Sequence, residues 1–254
     1  MTRPLLIANW KNHPSSLDEA KSLLKHWSRN AKLYKKLSFF IAPPLPYLET
    51  VALRARSFAQ PASQDISALS QGTHTSQVTP DILKSFGVRL AIIGHSERRA
   101  LGETDEIVSQ KIKIALRAGI TPLLCVGELS RDQDGEHFEF LREQLKSSLA
   151  GLSRKADSAR LAIAYEPVWA IGKSAKDALG PDELSQTIIF IKKILTDMFG
   201  RALAERIPIL YGGSVEVSNV ENLFKGTGIR GFLVGHASLN AKSLGIIAQL
   251  LLKK

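Results

Sequence analysis

Three ionisable residues in this chain stand at the ends of short apolar runs, and two glycine-rich turns follow two further runs. Glu166 ends the run LAIAY, and Pro167 directly after it restricts the backbone so that the carboxylate is held at a strand end. His95 follows LAIIG and precedes SERR, which can begin a short helix. The positive end of such a helix disfavours an imidazolium and favours a neutral, donating ring. Lys11 ends LLIANWK, with Asn9 two residues earlier and therefore on the same strand face. A carboxylate, a neutral imidazole and a fixed cation suffice for proton transfer with charge stabilisation. The turns YGGSV, at Tyr211 to Val215, and LVGHASL, at Leu233 to Leu239, supply backbone N–H groups of the kind that cradle anions. Gly212 and Gly213 would let the backbone approach a ligand closely. Taken singly, each feature has a commoner explanation: a structural ion pair, a packed histidine, a solvated lysine or a glycine that only shapes a turn.

These groups can meet only if the elements bring them to one place. Eight apolar runs of strand length alternate with helix-period segments: Leu5 to Ala8, Leu37 to Ala42, Ser57 to Pro61, Leu90 to Ile93, Pro122 to Val126, Leu161 to Ala164, Ile209 to Tyr211 and Phe232 to Val234. No long linker or low-complexity tract interrupts them, which predicts a parallel sheet crossed by helices, closed into a barrel, in one domain over residues 1–254. In such a barrel the chemistry gathers at the C-terminal rim of the strands. Thr79 is expected to cap a helix opened by Pro80. Gly119 is expected to end a helix from Asp105 to Ala118, and Gly200 one from Asp182 to Phe199, opened by Pro181. The stretch from Gln64 to Gln77 is polar and too long for an ordinary connection, so it needs something to pack on.

Composition narrows the partners. The chain has 254 residues and a formal charge of +10 at pH 7. A basic surface attracts nucleic acid, anionic lipid and anionic metabolites alike. Lys21, Lys25, Lys32, Lys35 and Lys36, with Lys192 and Lys193, read as solvated helix faces with mild steering of an anionic metabolite. No interleaved aromatics and no nucleic-acid motif accompany them, so neither a nucleic-acid nor a membrane partner is expected. The opening MTRPLLIANWK reads as a first strand, and no apolar run nears the roughly 20 residues that span a bilayer, which predicts a cytoplasmic protein. Cys125 stands alone and reads as a buried thiol. There is no HExxH, no cysteine pair and no carboxylate cluster of ligand spacing, so no metal is expected.

The stretches NWK at Asn9 to Lys11, IIGHSERR at Ile92 to Arg99, AYEPVWAIG at Ala164 to Gly172, YGGSV and LVGHASL together resemble the triosephosphate isomerase family, from Leu5 to about Leu251. The resemblance implies a single (β/α)8 TIM barrel with eight parallel strands ringed by helices. It also implies a homodimer, with no cofactor, that interconverts dihydroxyacetone phosphate and D-glyceraldehyde 3-phosphate in glycolysis and gluconeogenesis. It assigns Glu166 as the base, His95 and Lys11 as electrophiles, and Asn9, Lys11, Gly172, Ser214, Gly235 and His236 to substrate binding. Glu97 and Arg98 become supporting neighbours of His95, Pro167 to about Lys176 a lid, and Thr75 the tip of a loop at the subunit interface. Three departures stand out. His236 replaces a glycine, KSAKDALGP replaces the usual continuation after AIG and is two residues longer, and Ser76 and Gln77 replace Gly-Glu after Thr75. Two alternatives stay open: an isomerase of another short phosphorylated ketose such as a tetrulose phosphate, and an inactive barrel that binds polyanions or a protein.

Overall fold

The computed structural model describes residues 3–69, 72–132, 134–152, 160–172 and 179–253. Eight strands, β1 Leu5–Asn9, β2 Ser38–Ala42, β3 Gln60–Ser63, β4 Leu90–Ile93, β5 Thr121–Val126, β6 Ala162–Tyr165, β7 Ile209–Tyr211 and β8 Gly231–Val234, pair in sequence order, all parallel, and β8 returns to β1. This closed sheet is the expected (β/α)8 barrel. Around it lie α1 Leu17–Ser28, α2 Ala31–Tyr34, α3 Leu48–Arg54, α4 Pro80–Ser85, α5 Ser96–Ala100, α6 Asp105–Arg117, α7 Glu136–Ser148, α8 Pro181–Phe199, α9 Arg201–Ala204, α10 Val220–Phe224 and α11 Ala241–Leu250.

The period of two along each strand divides the core into two layers. Ile7, Ala42, Ala62, Ile92, Leu123, Ala162, Ala164, Leu210 and Leu233 fill the barrel interior. Their alternates, such as Leu6, Ala8, Phe39, Ile163, Tyr165 and Phe232, face outward and pack with Leu24, Leu141, Ile188 and Ile191 of the helices. The same alternation, carried past the strand ends, sends Asn9 after Ile7 and Glu166 after Ala164 toward the mouth.

One expected boundary and one expected cap are corrected. β3 runs over Gln60–Ser63 and not Ser57 to Pro61, because Phe58 closes the turn after α3 through its N–H to the Ala55 carbonyl (2.8 Å). Its ring joins an outer aromatic cluster, 6.0 Å from Tyr34 and 6.5 Å from Phe39. Thr79 stands at the N-cap of α4, but its hydroxyl makes no capping bond there; the helix start rests on Pro80, whose absent N–H leaves one fewer donor to satisfy. The ends of α6 and α8 fall as expected, with Gly119 (φ 77°) and Gly200 (φ 84°) in left-handed turns.

The aromatic cluster ties α1 and α2 to β2. Trp27 is fully buried, with Trp10 at 5.7 Å and Phe39 at 5.6 Å between ring centres. Trp27→Ala is expected to cost about 3–5 kcal/mol of stability through the cavity it leaves. Trp27→Phe should cost clearly less. Urea midpoints at a fixed protein concentration provide the check, and equal loss in both variants would contradict the packing role.

Candidate active site

At the C-terminal rim one cavity of about 720 Å³ is lined by Asn9, Lys11, His95, Glu166, Gly172, Ser214, Gly235 and His236, which are all of the residues the sequence assigned to base, electrophiles and substrate binding. They come from the ends of β1, β4, β6, β7 and β8.

Glu166 is 2% exposed. Its Oε1 lies 3.4 Å from His95 Nε2, and its Oε2 accepts from the Ser96 N–H at 3.4 Å. Burial raises its pKa above the ordinary carboxylate value, opposed by His95, the Ser96 N–H and the Lys11 charge. The residue fits because its neighbours lack side chains. A Cβ on Gly212 would lie 2.8 Å from Glu166 Cγ, and one on Gly127 would lie 1.8 Å from the Glu166 carbonyl oxygen. Cys125 is buried beneath the carboxylate, close enough to hydrogen-bond it. Burial, reinforced by the Glu166 charge, pushes the thiol well up, which suits a packed group and not a nucleophile.

His95 caps α5 with its own ring. Nδ1 accepts from the Glu97 N–H at 3.2 Å, so the ring carries its proton on Nε2, toward the cavity. By strand parity His95 would face outward from β4. Gly94, at φ 70°, turns the chain so that it does not. Arg99 holds that turn: its Nε donates to the Gly94 carbonyl at 2.7 Å, and its Nη1 pairs with Asp105 at 2.6 Å. Of the residues in HSERR, the sequence put Glu97 and Arg98 beside His95. Glu97 is there, its Oε1 at 2.6 Å from Lys11 Nζ, whereas Arg98 reaches away to Asp65 at 3.3 Å.

Lys11 adopts a left-handed backbone (φ 51°), a conformation that costs a non-glycine residue about 1–3 kcal/mol and so must be imposed by its surroundings. Its N–H donates to Asn9 Oδ1 at 3.0 Å. Its carbonyl accepts from Gln64 Nε2 at 2.7 Å, and the same amide reaches the Ala42 carbonyl at 2.9 Å. Gln64 is a positioning residue that sequence reading missed; nothing separated it from the polar loop it begins.

On the opposite wall, the Ser214 carbonyl accepts from Asn219 Nδ2 at 2.9 Å, and the Gly235 carbonyl accepts from the buried Ser238 hydroxyl at 2.6 Å, fixing both turns. His236 is exposed at the cavity edge. The segment after β6 that was expected to open a lid is tied down by Glu128, whose Oε1 accepts from Tyr165 Oη and Trp169 Nε1, both at 2.8 Å. Glu128 also went unrecognised in the sequence. Ile171 and Gly172 reach the cavity; the altered second hinge, from Lys173 to Ala178, lies outside the described residues. Thr75 is exposed, in a loop whose base is closed by the Ser67 N–H on the Val78 carbonyl at 3.0 Å. Beside it a second cavity of about 560 Å³ reaches from Ser76 and Gln77 to Lys11, His95 and Leu101. Among the described residues no group of three or more His, Cys, Asp or Glu is placed to hold a metal.

The triosephosphate isomerase family model matches residues 4–251. A triosephosphate isomerase of Geobacter metallireducens is 41% identical over 251 residues, covering 97% of this chain and 98% of that protein. One of Carboxydothermus hydrogenoformans is 37% identical over 253 residues, covering 98% and 99%, and one of Fusobacterium nucleatum is 37% identical with 96% of each covered. A closed parallel barrel whose rim gathers the motif residues, and similarity that runs the full length of these relatives, make the chain a member of the triosephosphate isomerase family.

Proposed function

We propose that this chain, working as one domain, interconverts dihydroxyacetone phosphate and D-glyceraldehyde 3-phosphate, with Glu166 as the base. The observation that carries the reading is the meeting of a buried carboxylate with the protonated Nε2 of a neutral imidazole, 3.4 Å apart, in a cavity that also holds a fixed ammonium. Glu166 removes a proton from C1 of the ketose and returns it to C2. His95 Nε2–H donates to the substrate oxygens and relays the hydroxyl proton between them, while Lys11 offsets the negative charge of the enediolate. Asn9 aligns Lys11 through the bond to its N–H. The phosphate is held by the N–H groups of Gly172, Ser214, Gly235 and His236, leaving the His236 ring toward solvent. Glu97 holds the ammonium in place from outside the cavity. Nothing among the described residues of the rim favours a tetrulose phosphate over the triose.

The active form is a homodimer in the cytoplasm. Support for the dimer comes from exposed Leu45, Ile82 and Leu101 near the Thr75 loop, the last 78% exposed, together with a cavity of about 560 Å³ beside Lys11 and His95 that a partner's loop would fill. For the location there is only that no helix among the described residues is long and apolar enough to cross a membrane.

Glu166→Gln should lower kcat by about 10²- to 10⁴-fold while a phosphate-bearing inhibitor still binds, because the amide keeps the shape but cannot accept a proton. Near-normal turnover would remove Glu166 as the base. The raised Glu166 pKa sets a pH dependence of definite sign. The base is protonated, and kcat/KM lost, as pH falls through a value above the roughly 4.3 of a free glutamate. The same shift makes folding stability fall as pH rises from that unfolded value through the folded one, since only the unfolded state has yet ionised. Lys11→Met should weaken both binding and turnover. It should also move the acid limb of kcat/KM upward, because the Lys11 charge lowers the Glu166 pKa; an unmoved limb in pH profiles of the two proteins would contradict this. Leu101→Glu should shift light scattering toward a monomer and reduce activity, whereas a fully active dimer would argue against the interface.

A further inference from the structure

The net positive charge of this protein comes from one portion of the barrel. Residues 1–56 and 241–254 contain thirteen Lys and Arg against three Asp and Glu, while residues 57–240 contain twenty-one of each. The fold makes these two segments neighbours, since β8 closes on β1, α11 packs against α1 and α2, and α1 packs against α3. Because each helix runs back from the rim, the helix ends and strand starts gather at the opposite face of the barrel.

That face is where the cations collect. The connection from α1 to β2 carries Arg29, Lys32, Lys35 and Lys36, preceded by Lys25 in the last turn of α1. Arg54 ends α3 and Arg56 lies in the turn after it, and Arg3 and Lys253 flank β1 and α11. All nine are exposed, and none forms an ion pair among the described residues. The three acids of this portion, Asp18, Glu19 and Glu49, lie in the first turns of α1 and α3, at the rim end.

Neither folding nor substrate capture accounts for such a face. One cation per helix end satisfies a macrodipole, and further like charges repel. The sequence had suggested mild steering of an anionic metabolite, but these charges sit at the wrong end. β1 alone, five residues long, separates them from Lys11 by roughly 16 Å, about two screening lengths at physiological salt.

We propose that this face binds the phosphate backbone of nucleic acid, independently of base sequence. The lack of interleaved aromatics, which spoke against a nucleic-acid partner, removes base stacking and leaves backbone charge as the means of binding. The neighbouring exposed polar groups, Asn30, Ser57 and Gln60, can donate to phosphate oxygens. An anionic bilayer is less well served, because among the described residues Leu53 is the one large apolar side chain exposed beside these cations.

Fluorescence anisotropy with a labelled single-stranded RNA of about 20 nucleotides tests this on the whole protein. Binding should fall with salt between about 50 and 200 mM with a logarithmic slope near −3, as for four or five neutralised phosphates. A homopolymer should bind as well as a mixed sequence. The variant Lys32→Glu/Lys35→Glu/Lys36→Glu should lose at least about tenfold in affinity while kcat and KM for the isomerase reaction stay unchanged. The variant Arg117→Glu/Lys193→Glu/Arg206→Glu makes the same charge change elsewhere and should lose about threefold or less. Equal loss in both variants, no salt-dependent binding, or binding only to phosphatidylserine vesicles would overturn the proposal.

Discussion

A carboxylate kept out of water is the constraint around which the rest of this structure is arranged. Burial makes the ionised form of Glu166 costly, and that cost is opposed chiefly by the imidazole N–H of His95, the Ser96 N–H at the start of α5 and the Lys11 ammonium, with the Cys125 thiol beside them. The first two follow β4 and the third follows β1, while the carboxylate itself follows β6, so three separate strand ends must converge, which a closed barrel can do and an isolated βαβ unit cannot. The glycines at positions 127 and 212 belong to the same constraint. They clear the volume that the Glu166 backbone and side chain occupy. A strand-end carboxylate with ordinary neighbours would be displaced toward solvent and lose its raised basicity.

Delivery depends on residues that never face the cavity. The left-handed turn at Lys11 persists because the Gln64 amide bonds its carbonyl and the Ala42 carbonyl at once, linking the ends of β1 and β2 to the start of the long loop after β3. His95 faces the mouth because Gly94 reverses the strand parity and Arg99 clamps the Gly94 carbonyl. Glu128 does the corresponding work for the segment after β6 by receiving Tyr165 and Trp169 together. In each case a long polar side chain spans two elements, so the bond rigidifies the rim and not merely its own segment.

The two faces of the barrel are electrically unlike. Helix first turns bring Asp18, Glu19, Asp105, Glu106, Asp182 and Glu183 to the rim end, and last turns bring Lys25, Arg54, Arg117 and Lys146 to the other. This polarity follows from the preference of each helix end for the opposite charge, repeated around a barrel whose helices all point the same way. The excess at the α11, α1, α2 and α3 corner goes beyond that rule. It separates the place where a phosphorylated substrate is handled from the place where the net charge resides.

Periodicity and helix end signals determined the fold class and most strand positions, and five motifs, through the family they resemble, pointed to Asn9, Lys11, His95, Glu166 and the glycine turns, which line one cavity, because all of these depend on residues adjacent in the chain. Phe58 misled the reading of β3, since an apolar residue that packs outside the barrel looks the same in sequence as one inside it. Only the tertiary structure decided that Arg99, and not Arg98, supports the His95 turn, that Gln64 and Glu128 hold Lys11 and Trp169, and that the cations of the two chain ends share one face. All of these turn on pairs of residues distant in sequence, whose meeting is set by barrel closure and by strand register. A chain read residue by residue carries no record of either.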